Sequence, residues 1–282
     1  MYKLALDGGF TCPTRDGMLE TRGCIFCAGG SGAFAESVGT DVYAAIERAK
    51  KRVAAKGGKK FIAYYQNYTG TYAPLDRLRA LYTETLAHPD VVALSIGTRP
   101  DCLPDEVVAL LRELNTVKPV WVELGLQTVH EATADYIRRG YPLRVFDDAV
   151  KRLRGAGITV IVHMILGLQG ETPEMMTETA RYIGKSGADG IKFQLLHVLE
   201  GTDLAEVYRK GRFSVLSLEE YIRVLEQCVE AIPANMVVHR LTGDGAKRDL
   251  IAPLWSADKK HVLRAINEAF DRDDVWQGKC SG

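Results

Sequence analysis

The chain has 282 residues, 46% hydrophobic and 26% charged, with Lys plus Arg equal to Asp plus Glu at 36 each. That balance excludes a chain-wide electrostatic footprint for nucleic acid and leaves only a local basic face as a polyanion surface. No apolar run approaches a bilayer span, the N-terminus lacks a signal peptide's basic and apolar regions, and six cysteines are too sparse for a disulfide scaffold, so a reducing cytoplasm and no membrane partner are expected.

Residues 2–7 read as a first strand that opens into a cysteine loop. A helix is expected over 41–55, ending at Gly57-Gly58, then an aromatic strand over 61–66 and a helix over 75–87 behind Pro74. Residues 91–97 form a continuous apolar run of the kind buried on both faces, followed by a helix at 104–115 and a strand at 120–126. An amphipathic helix over 145–156, a β-prone run over 158–166, a helix over 173–185, a strand over 190–198 and a helix over 218–232 complete six strand–helix units. A short strand-like stretch at 236–239 follows. Strands alternating with crossover helices imply a parallel sheet with right-handed connections. Six units without a break favour the α/β class, as a partial (β/α)6 TIM-like barrel over 1–232 with a short C-terminal extension, 233–282, packing on it. In such folds chemistry collects on the loops that leave the C-terminal ends of the strands.

Cys12, Cys24 and Cys27 lie in the loop 12–32 after the first strand and run into Gly29-Gly30-Ser31-Gly32. A closed structural zinc site needs four protein ligands, yet the next cysteine is Cys102 and the nearest histidine His88. Three thiolates suit an iron–sulfur cluster with one iron left open. Half a zinc knuckle and a redox pair remain alternatives for Cys24-x-x-Cys27, although a redox pair normally opens a helix and leaves Cys12 without a role. After the second strand, Tyr68, Thr69, Gly70 and Thr71 form a loop whose small residues let backbone groups approach a ligand. Arg99-Pro100-Asp101-Cys102 reads either as a Pro-directed turn or as part of the site. The fourth strand carries Glu123 and ends at Gln127. A carboxylate among apolar neighbours needs a partner: a structural cation, or the hydroxyls or ammonium of a cofactor. Gly167, Gly170 and Glu171 leave the fifth strand, as a surface for a flat heteroaromatic ring or simply as the cap region of the next helix. Lys192 and Gln194 share one face of the sixth strand, so at least one points into the barrel. Cys102 and Cys228 read as buried structural residues, Cys280 lies in a tail, and a single cluster is expected.

Taken together these residues resemble the radical S-adenosylmethionine (SAM) superfamily. Its usual motif is Cys-x3-Cys-x2-Cys with an aromatic before the last cysteine, the place of Phe26; here eleven residues separate Cys12 from Cys24. A lengthened first gap is similar to the branch containing the elongator catalytic subunit, as are Arg99-Pro100-Asp101, Glu123-Leu-Gly-Leu-Gln127 and Gly167-Leu-Gln-Gly170-Glu171-Thr172, shared in turn with oxygen-independent coproporphyrinogen oxidases. The Leu-Asp-Gly-Gly-Phe-Thr-Cys12 start, His239-Arg240-Leu-Thr-Gly243-Asp244 and Ala252-Pro253-Leu-Trp255-Ser256 resemble the bacterial YhcC/YtqA group. Members of that group carry further residues before this start, which raises the expectation that an N-terminal piece is absent here.

The resemblance implies that Cys12, Cys24 and Cys27 hold a 4Fe–4S cluster whose fourth iron binds SAM. Phe26 and the stretch Gly167, Gly170, Glu171 would shape an adenine pocket. Tyr68, Thr69, Gly70 and Thr71 would approach the methionine amino group, and Glu123 and Gln127 the ribose or methionine. It further implies reductive cleavage of SAM to a 5′-deoxyadenosyl radical, fed by a low-potential donor such as flavodoxin or ferredoxin. The implied substrate is tRNA, whose wobble-uridine side chain would be matured from carboxymethylaminomethyl towards aminomethyl. Arg138-Arg139 and the later basic residues His239, Arg240, Lys247, Arg248, Lys259 and Lys260 are the expected RNA-facing groups. A small metabolite or tetrapyrrole as substrate, and a non-catalytic metal-stabilised RNA-binding module, are the other readings.

Overall fold

The structure, a computed structural model, describes residues 1–29, 35–243, 245 and 247–281, so Gly30, Ser31, Gly32 and Asp244 lie outside the described residues. Its strands are β1 (Tyr2–Asp7), β2 (Glu36–Ser37), β3 (Phe61–Tyr65), β4 (Val91–Thr98), β5 (Val120–Gln127), β6 (Thr159–Leu166), β7 (Gly190–Leu195), β8 (Val198–Leu199), β9 (Val237–Arg240) and β10 (Leu250–Ala252). Its helices are α1 (Val42–Val53), α2 (Leu75–Ala87), α3 (Asp105–Asn115), α4 (Glu131–Tyr136), α5 (Leu143–Gly155), α6 (Pro173–Lys185), α7 (Asp203–Arg209), α8 (Leu218–Ala231) and α9 (Lys259–Arg272). Eight strands form one sheet in the order β2-β1-β3-β4-β5-β6-β7-β9, while β8 and β10 pair antiparallel in a separate ribbon. No helix among the described residues is long and apolar enough to cross a membrane.

The chain divides into two compact units. The first holds residues 1–21, 29–125 and 144–161. Its strands pair in parallel, with Leu4 level with Ala63 and Leu94 with Val120, so side chains of adjacent strands meet in common layers. Leu4, Leu6, Leu94, Ile96 and Val122 are almost wholly buried, as are Ile46, Leu78 and Leu111 on α1, α2 and α3. Asp41 caps α1 by accepting the Ala44 N–H at 2.8 Å, and Gly57, at φ 69°, closes the turn that follows.

The second unit holds residues 22–28, 126–143 and 162–282. Here β7 and β9 pair in parallel, and Phe193, Met176, Ile183, Tyr221 and Leu225 are buried. Thr172 caps α6 directly before Pro173, and Ser217 and Glu220 form a reciprocal capping box at the start of α8. The C-terminal tail is stitched to the end of α8: the Cys280 N–H donates to Glu230 O at 2.8 Å, and Gln277 Nε2 donates to the carbonyls of Pro233 and Met236 at 2.6 Å.

The alternation of strand and helix is as the sequence predicts, with two kinds of difference. The strand expected over 190–198 is split into β7 and β8, with His197 in the break. Helices α4, α7 and α9 occupy stretches to which the sequence reading assigns no element.

Candidate functional site

In the first unit, the loop after β3 is built for close approach. Tyr68 adopts φ 55°, a left-handed conformation that an aromatic residue rarely takes, and its hydroxyl donates to Gly29 O. The Gly70 N–H donates to Gly97 O at 2.9 Å, and the Tyr82 hydroxyl donates to Gly70 O. A Cβ on Gly70 would stand 2.7 Å from Ile96 Cγ2 and 3.0 Å from Gly97 O, so only glycine lets this loop lie against β4. The Thr71 hydroxyl is satisfied between Thr98 and Cys102 O. By contrast Thr69 Oγ1 and Asn67 Oδ1 are buried without a protein partner. Asn67 Nδ2 donates to Asp7 Oδ2 at 2.9 Å, which fixes the direction of that spare oxygen.

Cys12, in the same unit, has its sulfur 3.1 Å from Thr14 Oγ1. Glu123 is fully buried, and its Oε1 accepts from Lys3 Nζ and, at 2.7 Å, from Ser95 Oγ. The Lys3 ammonium also lies over the rings of Tyr64 (4.7 Å) and Trp121 (5.4 Å). The structural-cation alternative raised by the sequence is therefore present. Arg99 forks onto Asp101 at 2.9 and 2.7 Å, and burial, reinforced by the Asp101 charge, pushes the Cys102 thiol up to about 12.

In the second unit, Cys24 and Cys27 share one tight turn, closed by the Cys27 N–H on Cys24 O at 3.0 Å. Ile25 between them is held on both sides, its N–H donating to Ile137 O at 3.3 Å and its carbonyl accepting from Leu204 N at 2.9 Å. Ile25 belongs to an apolar cluster with Leu168, Leu196 and Val198, and Phe26, Phe213 and Val215 pack against it. The Cys24 thiol donates to Arg138 O at 3.7 Å. At the exit of β5, Gln127 adopts φ 70° and leaves Oε1 buried without a partner. The Thr128 hydroxyl donates to Glu171 Oε1, while Oε2 is buried and unpartnered. Burial raises the Glu171 carboxyl above its usual range, opposed by the Thr128 bond. Gly167 and Gly170 both adopt φ 86°, and the Gly167 N–H rests on Met176 Sδ at 3.1 Å. Gln169 is gripped by the Tyr136 hydroxyl and donates to Arg212 O at 3.3 Å.

Arg139 corrects a sequence expectation, being buried, while Arg138 is half-buried and paired. Arg138 Nη1 pairs with Asp203 at 2.6 Å, and Arg139 is buried, donating to Thr128 O, Tyr141 O and Glu131. Their carboxylate partners, 65 and 8 residues away in the chain, leave no local pattern to read. Asn67 and Thr128 also escaped the sequence reading of the site, since a single Asn or Thr at a strand exit is unremarkable until its hydrogen bonds are known.

The residues present fit an iron–sulfur cluster and SAM. Cys12, Cys24 and Cys27 are half-buried thiols outside any disulfide, the soft donor set such clusters take. Buried polar atoms are nearly always hydrogen-bonded, so the spare oxygens of Asn67, Thr69, Gln127 and Glu171, each at or just beyond a strand's C-terminal end, call for a polar ligand. Elsewhere among the described residues, Glu47, His88 and Asp90 bring metal-capable atoms within 4.8 Å of one another. That trio is already served by Lys50 Nζ, 2.6 Å from Glu47 and 2.7 Å from Asp90, and His88 Nδ1 accepts the Asp90 N–H at 3.2 Å.

Parallel strands with half-buried thiols and unsatisfied polar atoms beyond their ends suit an α/β metallocofactor enzyme. Residues 21–183 match the Radical SAM superfamily and residues 188–272 the Radical_SAM C-terminal domain. The chain is 46% identical over 281 residues to YtqA of Bacillus subtilis (strain 168), covering 99% of this chain and 87% of that protein. It is 27% identical over 164 residues to the tRNA uridine(34) acetyltransferase of Methanocaldococcus jannaschii, covering 57% of this chain and 30% of that protein. Among solved structures, an N-terminally deleted Elp3 from the archaeon Methanocaldococcus infernus superposes with a TM-score of 0.73 at 19% identity, over 83% of this chain and 60% of that one. At that identity the likeness shows the fold, a TIM-like partial barrel of α/β class. The chain belongs to the radical SAM superfamily, in its YhcC/YtqA-like group, and is a radical SAM enzyme; the superfamily uses a 4Fe–4S cluster and SAM.

Proposed function

We propose that this enzyme matures the side chain of the wobble uridine in tRNA, from carboxymethylaminomethyl towards aminomethyl. The observation that carries the substrate is the similarity, over 57% of this chain, to a tRNA uridine(34) acetyltransferase. Cys12, Cys24 and Cys27 are the proposed ligands of the 4Fe–4S cluster. When bound there, the cluster and SAM would supply one-electron chemistry able to remove a hydrogen atom from substrate. The chain's own residues bind and orient. Thr69 and Asn67, on a loop stiffened by Gly70 and Tyr68, present oxygens to the methionine end. Gln127 and Glu171 would offer theirs to the nucleoside, and the open main chain of Gly167–Gly170, with Phe26, would shape the adenine pocket. Glu123, occupied by Lys3 and Ser95, supports β5 below Gln127. The apolar cluster around Ile25 keeps water from the Cys24–Cys27 turn.

With Arg138 paired to Asp203 and Arg139 buried, the exposed Lys247, Arg248, Lys259 and Lys260 of the C-terminal segment are the proposed phosphate contacts. Their small number predicts an affinity resting on bases of the anticodon loop more than on charge.

The test has two stages. Anaerobically reconstituted protein, reduced with dithionite in the presence of SAM, is expected to form 5′-deoxyadenosine, and Cys24→Ala to form at least about 100-fold less. Nucleoside analysis of tRNA from a deletion strain is expected to show the carboxymethylaminomethyl precursor accumulating at the wobble position. Unchanged wobble nucleosides overturn the tRNA assignment and leave the first stage standing.

A further inference from the structure

Trp255 belongs to a C-terminal motif that the proposed chemistry does not use, yet its contacts lead to the Gly167–Gly170 loop. It stands on a short 3-10 turn, Leu254–Ala257, shortly after β10. Its indole Nε1–H donates to Leu216 O at 3.0 Å, and its ring lies against Tyr221 at a centroid distance of 5.6 Å. Tyr221 is fully buried, and its hydroxyl donates to Leu241 O at 2.7 Å, so the platform under the indole is fixed. Leu216 precedes Ser217, the cap of α8, and Tyr221 is four residues into that helix; these are the two positions of a hydrophobic staple. The Leu216 backbone is thus held from the cap on one side and from Trp255 on the other.

The Leu216 side chain meets Gly167. A Cβ at Gly167 would lie 3.2 Å from Leu216 Cδ1 and 3.3 Å from Cγ. Gly167 therefore has Leu216 on one face and Met176 Sδ under its N–H. The irregular stretch before Leu216 adds a second hold on the same loop, through Arg212 O and Gln169.

We propose that Trp255 is a positioning residue for SAM, holding Leu216 against Gly167 so that the main-chain groups of Gly167–Gly170 are fixed before the cofactor arrives. The proposal rests on the reading of that loop as the adenine surface. At φ 86° a glycine is one of the freest points in a chain, and freezing it on binding costs affinity. Leu216 freezes it in advance. The C-terminal segment is then part of the cofactor site without touching the cofactor.

Two variants test this. Trp255→Phe keeps an aromatic ring on Tyr221 and removes the N–H; Leu216→Ala keeps the carbonyl and removes the side chain from Gly167. SAM binding to reconstituted holoenzyme is measured by calorimetry, with iron content and Tm as controls, and the KM and kcat for SAM cleavage are measured separately. In the apo-protein, tryptic cutting at Lys210 and Arg212 reports release of the 210–216 stretch. The expected result is SAM binding weakened about five- to ten-fold in both variants, with the loss in KM rather than kcat, and faster cutting in Trp255→Phe at unchanged iron content. Wild-type SAM affinity in a folded, iron-loaded Trp255→Phe overturns the proposal, as does a loss confined to iron content. If wild-type holoenzyme itself binds no SAM, the adenine reading of the loop is what fails.

Discussion

Glu171 sits in a setting that works against its own charge. Burial favours its neutral form, so its pKa is raised in the folded state relative to the unfolded chain. Below the unfolded value both states are protonated and the residue costs nothing; as pH rises through the folded pKa the buried charge penalises the fold and stability falls. Glu171→Gln removes that penalty and keeps an oxygen for Thr128. The variant is expected to melt about 1–3 °C higher than wild type at pH 7, with the difference vanishing near pH 4, while SAM binding weakens about ten-fold. Thermal unfolding at the two pH values and calorimetry with SAM check both halves; a lower Tm at pH 7 contradicts the assignment. Glu123 shows the opposite arrangement: a carboxylate more deeply buried, but with Lys3 and Ser95 on one oxygen. Two buried acids thus differ in role because one has a cation built into the chain beside it and the other has a hydroxyl.

Among the elements, the loop between β3 and α2 has the least room for change. Gly70→Ala must displace either Ile96 or the main chain of Gly97, and overpacking of this kind costs about 1–3 kcal/mol. Its expected signature is a Tm lowered by several degrees together with weaker SAM binding, because Thr69 and Tyr68 ride on the same loop; unchanged affinity would separate the loop from the cofactor. Tyr68-Thr69-Gly70-Thr71 was legible from the sequence because small residues directly after an apolar strand bring main chain close to whatever lies at the strand's end. The parallel strands were equally legible, since apolar or β-prone runs alternate with helix-periodic ones along the chain. The split of β7 from β8 was not. A Cβ at Gly243 would come within 2.7 Å of the His197 ring, so the break is shaped by a residue far along the chain, which no local pattern encodes. Arg138 and Arg139 misled for the same reason. A basic pair reads as a surface until Asp203 and Glu131 are seen to meet it.

At the level of the whole molecule, the six thiols sort by environment. Cys102 and Cys228 are buried, and burial pushes both up to about 12; Cys12, Cys24 and Cys27 are half-buried and Cys280 is exposed. With a pKa near 12, only about one thiol in ten thousand is thiolate at pH 8. Iodoacetamide at pH 8 is therefore expected to place four adducts on the metal-free protein and one, on Cys280, after reconstitution with iron and sulfide. Mass mapping reads the count, and early modification of Cys102 would show that its burial is not maintained. The Cys24–Cys27 turn bears on how the enzyme is assembled. Its middle residue is hydrogen-bonded on both sides to other parts of its unit and seated in an apolar cluster, all by bonds that need no metal. Zinc fingers acquire their shape with their ion; here Ile137, Leu204 and the apolar cluster shape the turn from within its own unit, so its backbone is set by the chain as well as by its sulfurs.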